Sequence, residues 1–338
     1  MVMRLKQVTP SFSRLLGQEK AKFLLGRALA SGQLAHAYLF RGPDGVGKQL
    51  FARSLAAAVN CRRRQGMDAC GDCPSCRKYS SENHPDFLVI SPEKGVIKID
   101  RIREMIQALS YPPYESSVRV VLLEDIHTMR PEAANSLLKT LEEPPDNNLL
   151  ILTAAAAKDV LITISSRCQV IPFFSLGQEE TAQILLRELP GLDPETARLL
   201  ARLSEGCPGQ ALLLYRQEMV AIWREVVALI SDPGLDGNRD VGMLLQAAET
   251  MAALKEDLIP LLGLLRIWLR DLLFADTSGL DGHESAAVAE ETRGHKRRCW
   301  NSRQLFDKLQ AVDRAEKELG RNCNRTLVCE VLLFQLQQ

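Results

Sequence analysis

The fold is decided by residues 37–48, which read AYLFRGPDGVGK. An apolar run ends in a glycine-rich loop, and an amphipathic helical pattern follows over residues 47–59. This order of strand, loop and helix is the setting in which the motif G-x-x-x-x-G-K binds phosphate, because loop N–H groups and the positive end of the helix dipole face the anion. The residues predicted to bind nucleotide phosphates are Gly42, Gly45, Gly47 and Lys48. The alternative is a glycine-rich turn without a ligand.

Short apolar runs on both sides of this loop predict the strands of a mostly parallel sheet. They are residues 37–40, 87–90, 118–123, 149–153 and 169–171. Amphipathic segments that begin at Gly47, after Asp100 and at Pro131 separate them, and this alternation is typical of α/β domains. Only helical patterns follow Phe174, so the predicted fold class is α/β plus all-α.

The helical part of the sequence is predicted to form two further domains. Its helical patterns cover residues 178–188, 193–203 and 210–230, and then 241–254, 257–274, 302–320 and 326–336. A stretch rich in Pro, Gly and Asp at 231–237 separates the two groups, and the small, acidic residues 277–291 are predicted to form a loop. We therefore expect domains at 1–175, 176–231 and 232–338.

The composition is that of a globular protein. The 338 residues include 42 basic and 42 acidic ones, and 46% are hydrophobic. A length of roughly 100–200 residues per domain fits two or three domains. No apolar stretch approaches the ~20 residues of a membrane span, and residues 1–6 do not resemble a signal peptide, so we expect a cytoplasmic protein without membrane contact. The neutral net charge argues against a general DNA-coating protein.

Four of the nine cysteines fall within sixteen residues and are predicted to bind a metal. They are Cys61, Cys70, Cys73 and Cys76, which form two overlapping C-x-x-C elements plus one distant cysteine. Four thiolates suit a tetrahedral Zn²⁺ and leave no open position, so we expect a structural zinc rather than a catalytic one. An iron–sulfur cluster and unmetallated cysteines are the alternatives. The odd total fits a reducing compartment better than a disulfide framework.

Two features of the nucleotide site depart from what hydrolysis needs. Gln49 stands where a phosphate-loop NTPase has Ser or Thr, whose hydroxyl binds Mg²⁺. After the predicted strand at 118–123, Glu124-Asp125 reverses the order in which Asp holds magnesium and Glu orients the attacking water. We therefore expect impaired nucleotide chemistry. Ordinary strand-end charges are the alternative for Glu124 and Asp125.

Three further segments, taken with the phosphate loop and the cysteines, resemble subunits of the bacterial DNA polymerase III clamp loader. They are residues 134–145 (ANSLLKTLEEPP), Ser166-Arg167-Cys168 and the C-terminal residues 315–333. The resemblance implies an AAA+ fold with a phosphate-loop domain, a small helical lid and a helical collar that joins five subunits in a ring. It also implies an assembly that uses ATP to place a sliding clamp on primed DNA in the bacterial cytoplasm, at the nucleoid-associated replisome.

Compared with the ATP-hydrolysing subunits of that family, the sequence differs at two more places. Ala154 and Ala155 stand where the family has a polar nucleotide sensor, and Gly209 replaces the arginine of the lid. The resemblance therefore implies a stator, a subunit without ATP turnover that works beside the gamma or tau motors and the delta subunit. ATP binding is doubtful on this interpretation, and any enzymatic activity is that of the DNA polymerase III holoenzyme.

By the same resemblance, Arg167 is an arginine finger that completes the ATP site of a neighbouring motor subunit. The alternative for Arg167 is a salt bridge inside its own domain. Two other functions stay open for the whole chain. One is a gamma-type motor that hydrolyses ATP itself, and the other is a stand-alone zinc-dependent DNA-binding module.

Overall fold

The computed structural model describes residues 10–155, 162–231, 238–278, 300–321 and 323–337. The chain divides into two compact units: Met1–Glu188 with Glu205–Gln210, and Leu189–Ser204 with Ala211–Gln338. The division into three domains stays a prediction. Among the described residues, no helix combines the length and apolar character needed to span a bilayer.

The first unit is built on a five-stranded sheet in which all neighbouring strands are parallel. The strands are β1 (Ala37–Arg41), β2 (Phe87–Ile90), β3 (Arg119–Leu123), β4 (Asn148–Ala154) and β5 (Gln169–Pro172). Their order across the sheet is β2-β3-β4-β1-β5. All five predicted strands are present to within about a residue at each end, and the predicted class, an α/β domain followed by helices, is confirmed.

Helices cover both faces of this sheet. They are α1 (Glu19–Ser31), α2 (Lys48–Val59), α3 (Pro74–Ser80), α4 (Ile99–Leu109), α5 (Pro131–Glu142), α6 (Ile162–Ser165) and α7 (Gln178–Glu188). Side chains of β1 alternate between two cores, as expected for a strand. Tyr38 and Phe40 pack with residues of α1 and α2, whereas Ala37 and Leu39 pack with residues of α4 and α5.

One predicted helix start was wrong by two residues. The N-cap of α4 is Lys98 rather than Asp100, and Asp100 lies in the first turn of the helix. A carboxylate in that turn still stabilises the helix through the macrodipole, which explains why its position resembled a cap.

The helices after residue 188 are α8 (Pro194–Leu203), α9 (Pro208–Arg216), α10 (Met219–Ser231), α11 (Asn238–Ala253), α12 (Leu258–Ser278), α13 (Ser302–Gly320) and α14 (Arg325–Gln337). The prediction of one helix over 210–230 was wrong, because the chain breaks between α9 and α10, where Glu218 has a φ of +51°. The predicted loop at 277–291 overlaps the end of α12 by two residues, and the rest of it lies outside the described residues. Trp268 and Val312 are buried in the second unit.

Candidate nucleotide site and metal centre

The phosphate loop connects β1 to α2 at the carboxyl edge of the sheet. Lys48 is buried, with 5% of its side chain exposed. Its Nζ donates to the carbonyl oxygens of Gly42 at 2.7 Å and Pro43 at 2.8 Å, and to Oδ1 of Asp44 at 2.9 Å. An ammonium group has three donors, so the loop itself satisfies all of them. The structure therefore brings the predicted loop residues together, with the lysine directed at its own loop.

Gly209 lies against this loop. Its backbone N–H donates to the carbonyl oxygen of Gly45 at 2.9 Å. A Cβ on Gly209 would lie 2.7 Å from the Cα of Gly45, and one on Gly45 would lie 2.8 Å from the backbone nitrogen of Gln210. Gly45 also has a φ of +83°, which favours glycine. The resemblance places an arginine of the motors at position 209. In this chain, the backbone of Gly209 instead contacts the phosphate loop. The sequence alone did not reveal this contact.

The acidic pair follows β3 at the same edge of the sheet. Glu124 is buried, and its Oε2 accepts a hydrogen bond from Oγ of Ser91 at 2.6 Å. Burial raises the pKa of Glu124. Asp125 is partly buried and has a φ of +51°, and burial, followed by the nearby Asp44 carboxylate, raises its pKa. Both acids lie near the loop. Glu124 is hydrogen-bonded to Ser91, and Asp125 is repelled by the Asp44 carboxylate.

The other departures lie at Gln49, Ala154 and Ala155, none of which carries a hydroxyl. Ala154 is fully buried at the end of β4, opposite Arg41 of β1, and Ala155 follows it outside the strand. Gln49 is exposed in the first turn of α2. No hydroxyl therefore comes from these three positions for a metal-bound nucleotide.

The four predicted metal ligands lie together between α2 and the end of α3. Their sulfur atoms all lie within 4.8 Å of one another. The Sγ of Cys76 is 3.4 Å from that of Cys73, 3.7 Å from that of Cys61 and 3.9 Å from that of Cys70. Thiolates about 2.3 Å from a tetrahedral zinc ion lie about 3.8 Å apart. The four sulfur positions therefore fit one zinc ion.

Backbone donors favour the thiolate at Cys70, whereas burial raises the pKa of the Cys61 and Cys76 thiols. The N–H groups of Asp72 and Cys73 lower the pKa of the Cys70 thiol to about 6. Cys73 is the N-cap of α3, so the positive end of that helix dipole lies beside the ligand set. The backbone N–H of Cys70 in turn donates to the Cys61 sulfur at 3.1 Å. This donor set suits a soft cation that binds sulfur, and residues 61–76 would hold it as a structural centre.

A buried hydrogen-bond network that the sequence did not indicate supports the cysteine module. Ser75, between two of the cysteines, lies with its Oγ 3.1 Å from Nε2 of His84. The other ring nitrogen of His84 accepts the backbone N–H of Asp86 at 3.2 Å. The histidine is therefore a structural connector, and its ring also stacks on Tyr79 at a centroid distance of 4.3 Å.

Asp86 and Arg119 extend the network to the loop before β3. The Asp86 carboxylate is fully buried and accepts the backbone N–H groups of Tyr114, Glu115 and Ser116 at 2.6–2.9 Å. Burial alone would raise the pKa of Asp86, but these N–H groups outweigh it and hold the pKa below its usual range. Arg119 donates to the carbonyl oxygens of Tyr111 and Pro112, both at 2.9 Å. Two charged side chains thus fix one surface loop.

Arg167 lies between α6 and β5, with 33% of its side chain exposed. Its Nη1 donates to the carbonyl oxygen of Thr163 at 2.8 Å and to Oγ of Ser166 at 3.3 Å. Its Nη2 donates to Oε1 of Glu142, the last residue of α5. The salt bridge considered as the alternative is therefore present. Burial raises the pKa of the neighbouring Cys168 thiol to about 12, which favours the neutral thiol near neutral pH.

The fold and this site define an α/β protein with a phosphate loop between a strand and a helix. The protein family described as "DNA polymerase III, delta subunit" matches residues 17–177. The delta' subunit of DNA polymerase III from Pseudomonas aeruginosa is 37% identical over 189 residues, which are 55% of this chain and 57% of that protein. The tau subunit from Escherichia coli is 32% identical over 215 residues, which are 62% of this chain and 33% of that protein.

Among solved structures, a DNA polymerase III gamma subunit-related protein from Thermotoga maritima has a TM-score of 0.45 at 19% identity, covering 94% of this chain and 98% of that one. These similarities relate the α/β part of the chain to subunits of DNA polymerase III. The matched part of the chain spans a third of the tau protein and little more than half of the delta' protein.

Proposed function

We propose that the protein is a clamp-loader subunit of the delta' type, a stator that does not hydrolyse ATP. One observation carries the proposal: the phosphate loop is closed on itself and on Gly209. Lys48 uses its three donors on Gly42, Pro43 and Asp44, and Gly45 accepts a bond from Gly209. ATP phosphates would have to compete with the three oxygen acceptors of Lys48.

The remaining groups of the site would not restore catalysis. Phosphoryl transfer depends on a hydroxyl and a carboxylate that hold Mg²⁺ and on a second group that orients the nucleophile. Gln49 offers an amide instead of the hydroxyl, and Glu124 is hydrogen-bonded to Ser91 in a buried position. Loss of several such contributions is consistent with lost turnover, since electrostatic stabilisation and positioning supply almost all of the rate.

In this role the protein acts on ATP through a neighbour. Arg167 would reach the γ-phosphate bound by an adjacent gamma or tau subunit, where a planar, permanently charged guanidinium stabilises the transition state. The cysteine module would hold one structural zinc ion. Partners are gamma or tau and delta in a five-membered ring, with the sliding clamp and primed DNA bound through the assembly in the cytoplasm.

The decisive experiment is steady-state ATP turnover by the zinc-loaded full chain, with and without primed DNA. The stator proposal expects turnover at the background rate in both conditions. The same chain should restore clamp loading when it is added to gamma or tau and delta. Turnover that primed DNA stimulates and that Lys48→Ala abolishes would refute the proposal.

The second candidate is a motor of the gamma/tau type. The 32% identity to a tau subunit and the retained Gly42, Gly45, Gly47 and Lys48 favour it. It requires that ATP phosphates displace Asp44 from Lys48. Equilibrium binding of a fluorescent ATP analogue distinguishes the candidates, because a motor binds it at micromolar concentration and the closed loop does not.

A further inference from the structure

We infer that Glu142 is a positioning residue for Arg167. It holds the guanidinium of Arg167 in an orientation that leaves N–H donors available to a phosphate bound by a neighbouring subunit. This inference rests on the proposed function of Arg167 as a finger. Nη2 of Arg167 donates to Oε1 of Glu142, while Nη1 donates to Thr163 and Ser166. A guanidinium has five N–H donors, so these three bonds leave two for an incoming phosphate.

Both partners sit on anchored elements. Glu142 ends α5, which is fixed by the buried Leu137 and Leu141. Arg167 follows α6, whose Ile164 is buried in the same core. The pair is therefore held by the packing of the two helices against each other, and the guanidinium direction is set before any neighbour binds. An arginine that is already ordered loses less side-chain entropy when it meets a phosphate.

The pair is also exposed enough to yield to a stronger ligand. The Arg167 side chain is 33% exposed and that of Glu142 is 49% exposed. Exposed ion pairs of this kind are weak, whereas a phosphate group is a doubly charged bidentate acceptor. Glu142 thus keeps Arg167 oriented in the free subunit without competing strongly with a bound nucleotide.

The first test uses the isolated full chain and an arginine-selective dicarbonyl reagent, with the modified residue identified by mass spectrometry. Glu142→Ala should raise the modification rate of Arg167 about two- to fivefold, which is the range expected for an exposed ion pair. Glu142→Gln should have a smaller effect, because its amide oxygen still accepts a hydrogen bond. Glu143→Ala is the matched control, since Glu143 is the next residue and is equally exposed. An unchanged rate in Glu142→Ala overturns the inference.

The second test uses the reconstituted clamp loader and measures kcat and KM for ATP. A positioning role predicts that Glu142→Ala lowers kcat about two- to fivefold with KM unchanged, because the finger acts in the transition state. Glu142→Gln should recover part of the loss, and Glu143→Ala should match the unaltered complex. A complex that loses activity with Arg167→Ala but not with Glu142→Ala overturns the inference alone. A complex unaffected by Arg167→Ala refutes the proposed finger, and the inference with it.

Discussion

The backbone N–H of Gly209 donates to the carbonyl oxygen of Gly45 at 2.9 Å, so the first turn of α9 lies directly on the phosphate loop. The approach is possible because neither residue has a Cβ. Where the resemblance implies an arginine in the gamma or tau motors, this chain has Gly209, which offers no side chain to a nucleotide. It also permits a backbone contact that a side chain would obstruct.

We expect Gly209→Ala to destabilise the first unit by about 1–3 kcal/mol, the usual cost of forcing a methyl group into a packed contact. The added Cβ would lie 2.7 Å from the Cα of Gly45, which is backbone and cannot rotate away. The measurement is urea unfolding followed by circular dichroism. Gly242→Ala on α11 is the control, because its Cβ would enter open space and alanine favours the helix. Equal stability of the two variants would contradict the tight contact.

The cysteine cluster should bind about one zinc ion per chain, as four thiolates around one tetrahedral ion require. Cys76→Ser should release the metal and lower the unfolding temperature, because zinc bound only by the folded chain contributes directly to folding free energy. Metal content by mass spectrometry and thermal unfolding with and without a chelator check this. The control is Cys323→Ser, because Cys323 is exposed and lies two residues before α14. This variant should keep the full metal content. Visible absorption and bound iron instead of zinc would favour the iron–sulfur alternative.

Asp86→Asn should cost about 1.5–3 kcal/mol at pH 7, because three backbone N–H groups lose a charged acceptor. The pKa of Asp86 is lower in the folded than in the unfolded chain, so its contribution is fully present above about pH 4 and disappears as the pH falls through the folded value. The stability difference between Asp86→Asn and the unaltered protein should therefore shrink at lower pH. Urea unfolding between pH 7 and pH 3 measures it, with the exposed Asp146→Asn as control. If the difference in the free energy of unfolding between the two proteins does not change with pH, the charge of Asp86 does not contribute to stability.

Local patterns were sufficient to predict the sheet and the clustering of the four cysteines. The strands are short apolar runs with helical patterns between them, and both the phosphate loop and the cysteine cluster are contiguous in sequence. In each case the chemistry depends on neighbours along the chain. The predicted strands therefore needed correction only at their ends, by about a residue.

The contacts missed by sequence reasoning join distant residues. Asp86 accepts N–H groups from residues 28–30 positions away, and Gly209 meets a loop more than 160 residues earlier. Nothing in an isolated Asp or Gly indicates such a partner. The break between α9 and α10 was missed for another reason: Glu218 takes a left-handed conformation that its residue type does not favour.

If Arg167 acts in trans, Arg167→Lys should be nearly as impaired as Arg167→Ala. Lysine retains the charge but not the planar fork that contacts Glu142 and a phosphate together. At the ATP site next to this subunit, we expect turnover to fall by about 10³-fold or more, as for arginine fingers of other NTPases. Single-turnover ATP hydrolysis in the reconstituted complex is the measurement. The control is Arg103→Ala, because Arg103 is exposed. Full activity of Arg167→Lys would show that the positive charge alone is sufficient.

Lys48 offers the clearest separation between a stator and a motor, because its expected role is opposite in the two. In a stator, Nζ of Lys48 ties Gly42, Pro43 and Asp44 together, and its removal leaves their oxygens without this donor. Lys48→Ala should then lower the free energy of unfolding by about 1.5–3 kcal/mol, as for hydrogen bonds to a charged group. At a temperature where the variant is folded, clamp loading by the reconstituted complex should be unchanged. Lys20→Ala, an exposed lysine of α1, should leave both stability and loading unchanged. In a motor, Lys48 would instead contact ATP, so Lys48→Ala would abolish turnover whatever its effect on stability, and that result would contradict the closed loop as the working state.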